Sequence, residues 1–121
     1  MDDDAIILTV LREIQDYCDI LDILLERFGL DEETFLEDLA FQMSCTLALM
    51  QIGENVKKIE SWLTSNSALI RWKQIRRFRD LVAHNYGKAD PCMIWKMIVA
   101  DYPVLKSEIN RLISQVEDFD N

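Results

Sequence analysis

Apolar residues recur along this chain at the three- and four-residue intervals of an α-helix, and nowhere at the alternating interval of a strand. Ile7, Ile14, Leu21 and Phe28 repeat every seven positions, with Val10/Leu11, Tyr17/Cys18 and Leu24/Leu25 between them. That seam predicts a first helix over about residues 4–28 that packs along its whole length, with Gly29 ending it. Asp31 is placed to cap a second helix, and Glu32 and Glu33 suit its first turn. Its apolar positions are Phe35, Leu39, Met43, Leu47 and Met50, then Ile52, Val56, Ile59 and Leu63. Gly53 inside it suits close approach of another backbone. "TSNS", residues 64–67, reads as a loop or cap. A third helix is expected over about 68–85, ending near Gly87. Asp90 then caps a fourth, with Pro91 at its first position. Pro103 kinks or breaks that helix, and Leu105, Ile109, Leu112/Ile113 and Val116 continue to the end. Short connections favour antiparallel neighbours. The expected fold is all-α: one domain over residues 1–121, an up-and-down four-helix bundle with a kinked or split last helix.

Composition supports this reading. Half of the 121 residues are hydrophobic, and Gly and Pro number only three and two, which suits a compact helical domain. Cys18, Cys45 and Cys92 stand too far apart for a redox or zinc motif and read as reduced thiols in the core. "MDDD" is the opposite of a basic signal peptide, and no apolar run reaches the ~18 residues of a membrane span, so a cytoplasmic location is expected.

Charge changes the picture. The formal net charge of −9 argues against nucleic acid. Yet residues 71–88, "RWKQIRRFRDLVAHNYGK", hold six basic side chains against Asp80 alone, while the rest of the chain holds seven against 21 acidic ones. An anion would go to that segment. It contains the one histidine, His84, five positions after Arg79 and two before Tyr86. Ile75, Phe78, Leu81 and Val82 form its apolar stripe; Arg76, Arg79, Ala83 and Tyr86 form a second stripe; Asp80 and His84 share a third line. Five residues apart, Arg79 and His84 lie roughly 140° from one another on a regular helix. Either the helix loosens toward Gly87 or a second copy across a twofold axis completes the site.

A histidine can take and give a proton near neutral pH, and an arginine presents a planar fork matched to phosphate. That pair, without a carboxylate cluster, suits metal-independent RNA cleavage. His84 would move protons, Arg79 would stabilise charge on the phosphorane, and Asp80 would orient or charge the imidazole. Arg71, Lys73, Arg76 and Arg77 would hold the RNA backbone. The competing readings are a capping or surface histidine and a basic helix paired with the acidic remainder of the bundle. Trp72 and Trp95 read as core rather than as base-stacking platforms.

Arg79-x4-His84-x-Tyr86 resembles the R-x4-H-x-Y motif of the HEPN superfamily, in particular the HepT-like ribonuclease toxins. "IGE" at 52–54, Trp72, Asp80, Asp90 and the late Pro103 are also similar to that family. "WKQIRRFRD" departs from it, since many relatives carry a small residue and methionine before the arginine. The resemblance implies a helical bundle that dimerises with the two motifs near the interface, and a metal-independent endoribonuclease toxin that needs no cofactor. It implies an RNA substrate and a partner, a minimal nucleotidyltransferase antitoxin that places AMP on the tyrosine, here Tyr86. Two alternatives are a non-catalytic, substrate-binding partner of a nucleotidyltransferase and a plain helical adaptor.

Overall fold

The structure, a computed structural model, describes residues 3–120. Met1 and Asp2 of the "MDDD" start lie outside the described residues. Every described element is helical: α1 (Asp3–Phe28), α2 (Glu32–Glu37), α3 (Leu39–Lys58), α4 (Glu60–Asn66), α5 (Trp72–Asn85), a 3₁₀ turn (Tyr86–Lys88), α6 (Pro91–Lys96), a π-helical turn (Met97–Asp101) and α7 (Tyr102–Asp120). Four rods make the bundle. α3 lies between α1 and α5, α7 packs on the other side of α1, and α2 and α4 extend the two ends of α3. The all-α bundle expected from the periodicity is therefore present.

Local chemistry sets the breaks. Gly29 takes φ 95°, a left-handed conformation that favours glycine, and its N–H donates to the Leu25 carbonyl at 2.9 Å. Asp31 accepts from the Thr34 N–H at 3.0 Å and starts α2. The single second helix expected over the next thirty residues is three helices instead. Asp38 leaves the helical conformation and its carboxylate caps α3, accepting from the Phe41 N–H at 3.1 Å. At the other end Ile59, at φ −130° and ψ 28°, turns the chain into α4. Of residues 64–67, expected as a loop or cap, 64–66 complete α4 and Ser67 is its C-cap, and α5 begins at Trp72 rather than near 68. Asp90 accepts from the Cys92 N–H at 3.0 Å with Pro91 at the first position, as expected. Pro103 kinks the last helix without breaking it, one of the two outcomes expected. The π-helical turn just before it hands the Tyr102 N–H to the Met97 carbonyl, so the missing proline donor is absorbed and the helix runs on into α7.

The core joins Ile7, Leu11, Ile14 and Leu21 of α1 to Phe41, Cys45, Ile52 and Val56 of α3 and to Ile109, Leu112 and Val116 of α7. Phe28 and Phe41 stack at 4.7 Å between ring centroids, and Phe35 meets Phe41 at 5.0 Å and Trp95 at 5.1 Å, closing one end. Trp72 and Trp95 are buried, as expected. Cys18 and Cys45 are also buried, and burial pushes both thiols up to about 12. Cys92, expected in the core, is exposed on the first turn of α6.

Leu39, Met43 and Leu47, among the apolar positions expected for the second helix, are 64%, 51% and 54% exposed. The stripe that meets the core is Phe41, Cys45, Ala48/Leu49, Ile52 and Val56. From residue 39 to 53 α3 carries no charged side chain, so apolar positions alone did not distinguish its inner face from its outer one.

α3 and α5 approach most closely at Gly53. A Cβ there would sit 2.7 Å from the Arg79 Cβ and 3.0 Å from the Ile75 carbonyl oxygen. Neither atom is the end of a flexible side chain, so Gly53→Ala must push the helices apart. Alanine gains about 1 kcal/mol of helix propensity over glycine, whereas overpacking a tight contact costs about 1–3 kcal/mol. The expected outcome is a net loss of stability, read as a melting temperature lower by a few degrees; an unchanged or raised one would show that the helices separate freely.

Candidate functional site

α5 carries the basic segment across the surface of the bundle. Phe78 and Val82 are buried against the core, and Ile75 and Leu81 are half-buried beside them. That stripe fixes the rotation of the helix and so decides where each charged residue goes. Arg79 lies on the side facing α3, where its Nε donates to the Glu54 carboxylate. Its Nη1 donates to Asp80 Oδ1 at 3.1 Å. Arg76 donates from Nε to Glu60 Oε1 at 2.6 Å and from Nη1 to Asp80 Oδ2 at 3.5 Å. Asp80 thus bridges two arginines. The hydrogen bonds that Arg79 donates to Asp80 and Glu54 raise its pKa, and the bond from Arg79 is the main cause that holds Asp80 below the usual carboxylate range. The positive charge of Lys57, on the last turn of α3, acts on Asp80 in the same direction.

These pairs are partly solvated, with 23% of the Arg79 side chain and 38% of that of Glu54 exposed. Surface pairs of this kind contribute about 0–1 kcal/mol. They matter for orientation more than for stability.

His84 is exposed in the last turn of α5 and makes no hydrogen bond or ion pair among the described residues. Asp80, expected to orient the imidazole, is engaged by Arg79 and Arg76. α5 stays helical past Arg79 as far as His84, so the loosening that would bring the two together on one protomer does not occur before the histidine. It comes one residue later. Asn85, at φ −160° and ψ 87°, leaves the helical path, and Tyr86 opens the 3₁₀ turn. Tyr86 is 37% exposed and does not extend the Arg76–Arg79–Ala83 stripe as expected.

Of the four residues expected to hold RNA, Lys73 and Arg77 lie four apart on the exposed His84 side of α5, and Arg71 and Arg76 lie elsewhere. Arg76 belongs to the ion-pair network, and Lys73 is exposed near the His84 line. Arg71 and Arg77 edge a groove of about 800 Å³ between α5 and the α6–α7 helix, floored by Leu49, Ile52, Phe78 and Leu105. Glu54, Glu60 and Lys57 join the network around Arg79, Arg76 and Asp80, and the sequence reading gave none of them a role there, although Glu54 ends the "IGE" stretch. A signal for Glu54 was available, since it follows the one glycine expected to admit another backbone.

No set of three or more His, Cys, Asp or Glu side chains among the described residues is placed to hold a metal ion. No helix among the described residues is long and apolar enough to cross a membrane.

The chain matches the family described as Ribonuclease HepT-like over residues 7–112. A protein of Methanocaldococcus jannaschii named as a candidate RNase is 28% identical over 91% of this chain and 89% of its own length. A second from the same organism, also named as a candidate RNase, is 29% identical over 89% of this chain and 91% of its own length. A protein of Thermococcus cleftensis named as a probable ribonuclease HepT is 34% identical over 66% of this chain and 73% of its own length. No solved structure shows a significant match. With that match covering the bundle from the first core residue of α1 into α7, the chain belongs to the ribonuclease HepT-like family.

Proposed function

We propose that this protein is a metal-independent endoribonuclease toxin that works as a homodimer and is silenced by AMP attached to Tyr86. The observation that carries the reading is the Arg79 guanidinium, held in place by two carboxylates on a helix that presents an exposed His84 five residues further on. His84 would take the proton of a ribose 2′-hydroxyl as its oxygen attacks the adjacent phosphorus. Arg79 would stabilise the charge that builds on the phosphorane oxygens. The bond from phosphorus to the 5′-oxygen breaks, that oxygen takes up a proton, and the products are a 2′,3′-cyclic phosphate and a 5′-hydroxyl. Lys73 and Arg77, exposed on the His84 side of α5, and Arg71 would add attraction for the backbone, while Arg76 is held by Glu60 and Asp80.

The separation of Arg79 and His84 around one helix supports a site built from two copies. The apolar stripe Leu39, Met43 and Leu47 supplies a surface for the second copy, and it runs along α3 toward Glu54 and Arg79. The partner of different kind is a minimal nucleotidyltransferase. It would join the Tyr86 hydroxyl to the α-phosphate of ATP with release of pyrophosphate, placing bulk and negative charge where the RNA phosphate must lie.

Three outcomes are expected. In excess chelator the purified protein should cut single-stranded RNA to 2′,3′-cyclic phosphate ends, and His84→Ala and Arg79→Ala should each slow cleavage by about 10²-fold or more. Full cleavage by His84→Ala would refute the assignment, and RNA binding without cleavage by the wild type would favour the non-catalytic partner reading. Light scattering at micromolar concentration should give twice the 14.2 kDa chain mass, reduced to one chain by Leu47→Glu; a wild-type monomer would sink the dimer. Incubation with the nucleotidyltransferase and ATP should add AMP mass to the wild type and none to Tyr86→Phe, which should keep most of its cleavage activity. A Tyr86→Phe protein that is neutralised to the same degree would mean that inhibition works by binding alone.

A further inference from the structure

Glu54 lies on a different helix from the motif, and sequence reading gave it no role. Gly53 beside it lets α3 come so near α5 that the Arg79 Cβ would stand 2.7 Å from any Cβ at that position. The backbone of Glu54 is therefore fixed against the stem of Arg79. Glu54 accepts from Nε and Asp80 from Nη1, which leaves Nη2 with no acceptor among the described residues. Two carboxylates at a phosphate-binding arginine weaken its attraction for RNA. A site built for affinity alone would omit them, so their presence points to orientation.

We propose that Glu54 is a positioning residue for RNA cleavage: with Asp80 it locks the Arg79 guanidinium and leaves its Nη2 free for the scissile phosphate. The assignment rests on the reading of Arg79 as the group that stabilises the phosphorane. An arginine has four rotatable bonds between its Cα and its planar fork, and holding Nε and Nη1 removes that freedom before the substrate arrives. A phosphate then meets a fixed donor rather than a mobile one. Without Glu54 the guanidinium is free to follow the ground-state phosphate, which favours binding, and is displaced from the geometry that the phosphorane needs, which slows cleavage. Affinity and rate should therefore move in opposite directions, which a residue that merely supports the fold would not produce.

The test uses the full chain with Glu54→Ala and Glu54→Gln. Single-turnover cleavage of a single-stranded RNA oligonucleotide should slow by about 10–100-fold in Glu54→Ala, with Glu54→Gln between it and the wild type because an amide oxygen can still accept from Nε. RNA affinity, measured on a His84→Ala background to prevent cleavage, should be equal or tighter in both. The Arg79 Nε–H resonance, assigned by its loss in Arg79→Lys, should be distinct in the wild type and shift to the position of free arginines in Glu54→Ala. Unchanged cleavage, a parallel loss of rate and affinity with a lower melting temperature, or an Nε–H resonance indifferent to Glu54 would each overturn the proposal. Wild-type protein that binds RNA but leaves it intact would sink the nuclease reading instead, and the Nε–H resonance alone would then decide whether Glu54 holds Arg79.

Discussion

The contact between α3 and α5 at Gly53 is the constraint on which the arrangement of the site rests. Where two helices pack with side chains at every position, their axes stay about 8–10 Å apart and the residues along the seam are large. Here the seam contains a residue without a side chain, and the carbonyl of Ile75 and the stem of Arg79 occupy the space. The contact does two things at once. It lets Ile52 and Val56 on one helix and Phe78 and Val82 on the other reach the same core, and it brings the carboxylate of Glu54 to an arginine 25 residues further along the chain. Packing and electrostatics are thus settled by one missing methyl group.

The charges around that contact are arranged against the average of the chain. An acidic body repels polyanions, and the basic face of α5 has to overcome that field locally. Part of the basic face is spent inside the protein, since Glu60, Asp80 and Glu54 engage Arg76 and Arg79. What remains for an external anion is the unpaired edge of Arg79 together with exposed side chains such as Lys73 and Arg77. The division is between cations held in a fixed position, which suits chemistry, and cations free to move, which suits attraction. The end of α5 adds a change of direction. His84 is the last residue before the backbone leaves the helix at Asn85, and Tyr86 stands in a separate turn, so the histidine and the tyrosine are set by different local geometries although they are two positions apart.

Much was legible in the chain because it depended on short-range chemistry. The heptad seam of α1, the left-handed stop at Gly29 and the Asp90–Pro91 start of α6 need only a few neighbouring residues to be decided, and each stands where the pattern placed it. The basic segment and its Arg79, His84 and Tyr86 were legible for the same reason, since they fall within one helix and the turn that follows it. The close approach at Gly53 was expected as a possibility of its residue type; which backbone would come near was not.

What the sequence by itself determined, then, is the all-helical character and those helix ends that carry a local stop or cap signal, at Gly29, Asp31 and Asp90. Tertiary structure decided the rest, because it depends on rotation and contact between helices that no local pattern records. Leu39, Met43 and Leu47 match the core residues of α3 in polarity, and only the positions of α1 and α5 turn them outward. Pro103 carries the local rule of a helix breaker, yet the π-helical turn before it keeps the helix continuous by shifting one hydrogen bond. Asp80 sits one turn from His84 in sequence, but two arginines held in place by packing claim its carboxylate. The pairing of Glu54 with Arg79 exists only because two helices meet at a glycine, and the length of chain between them gives no sign of it.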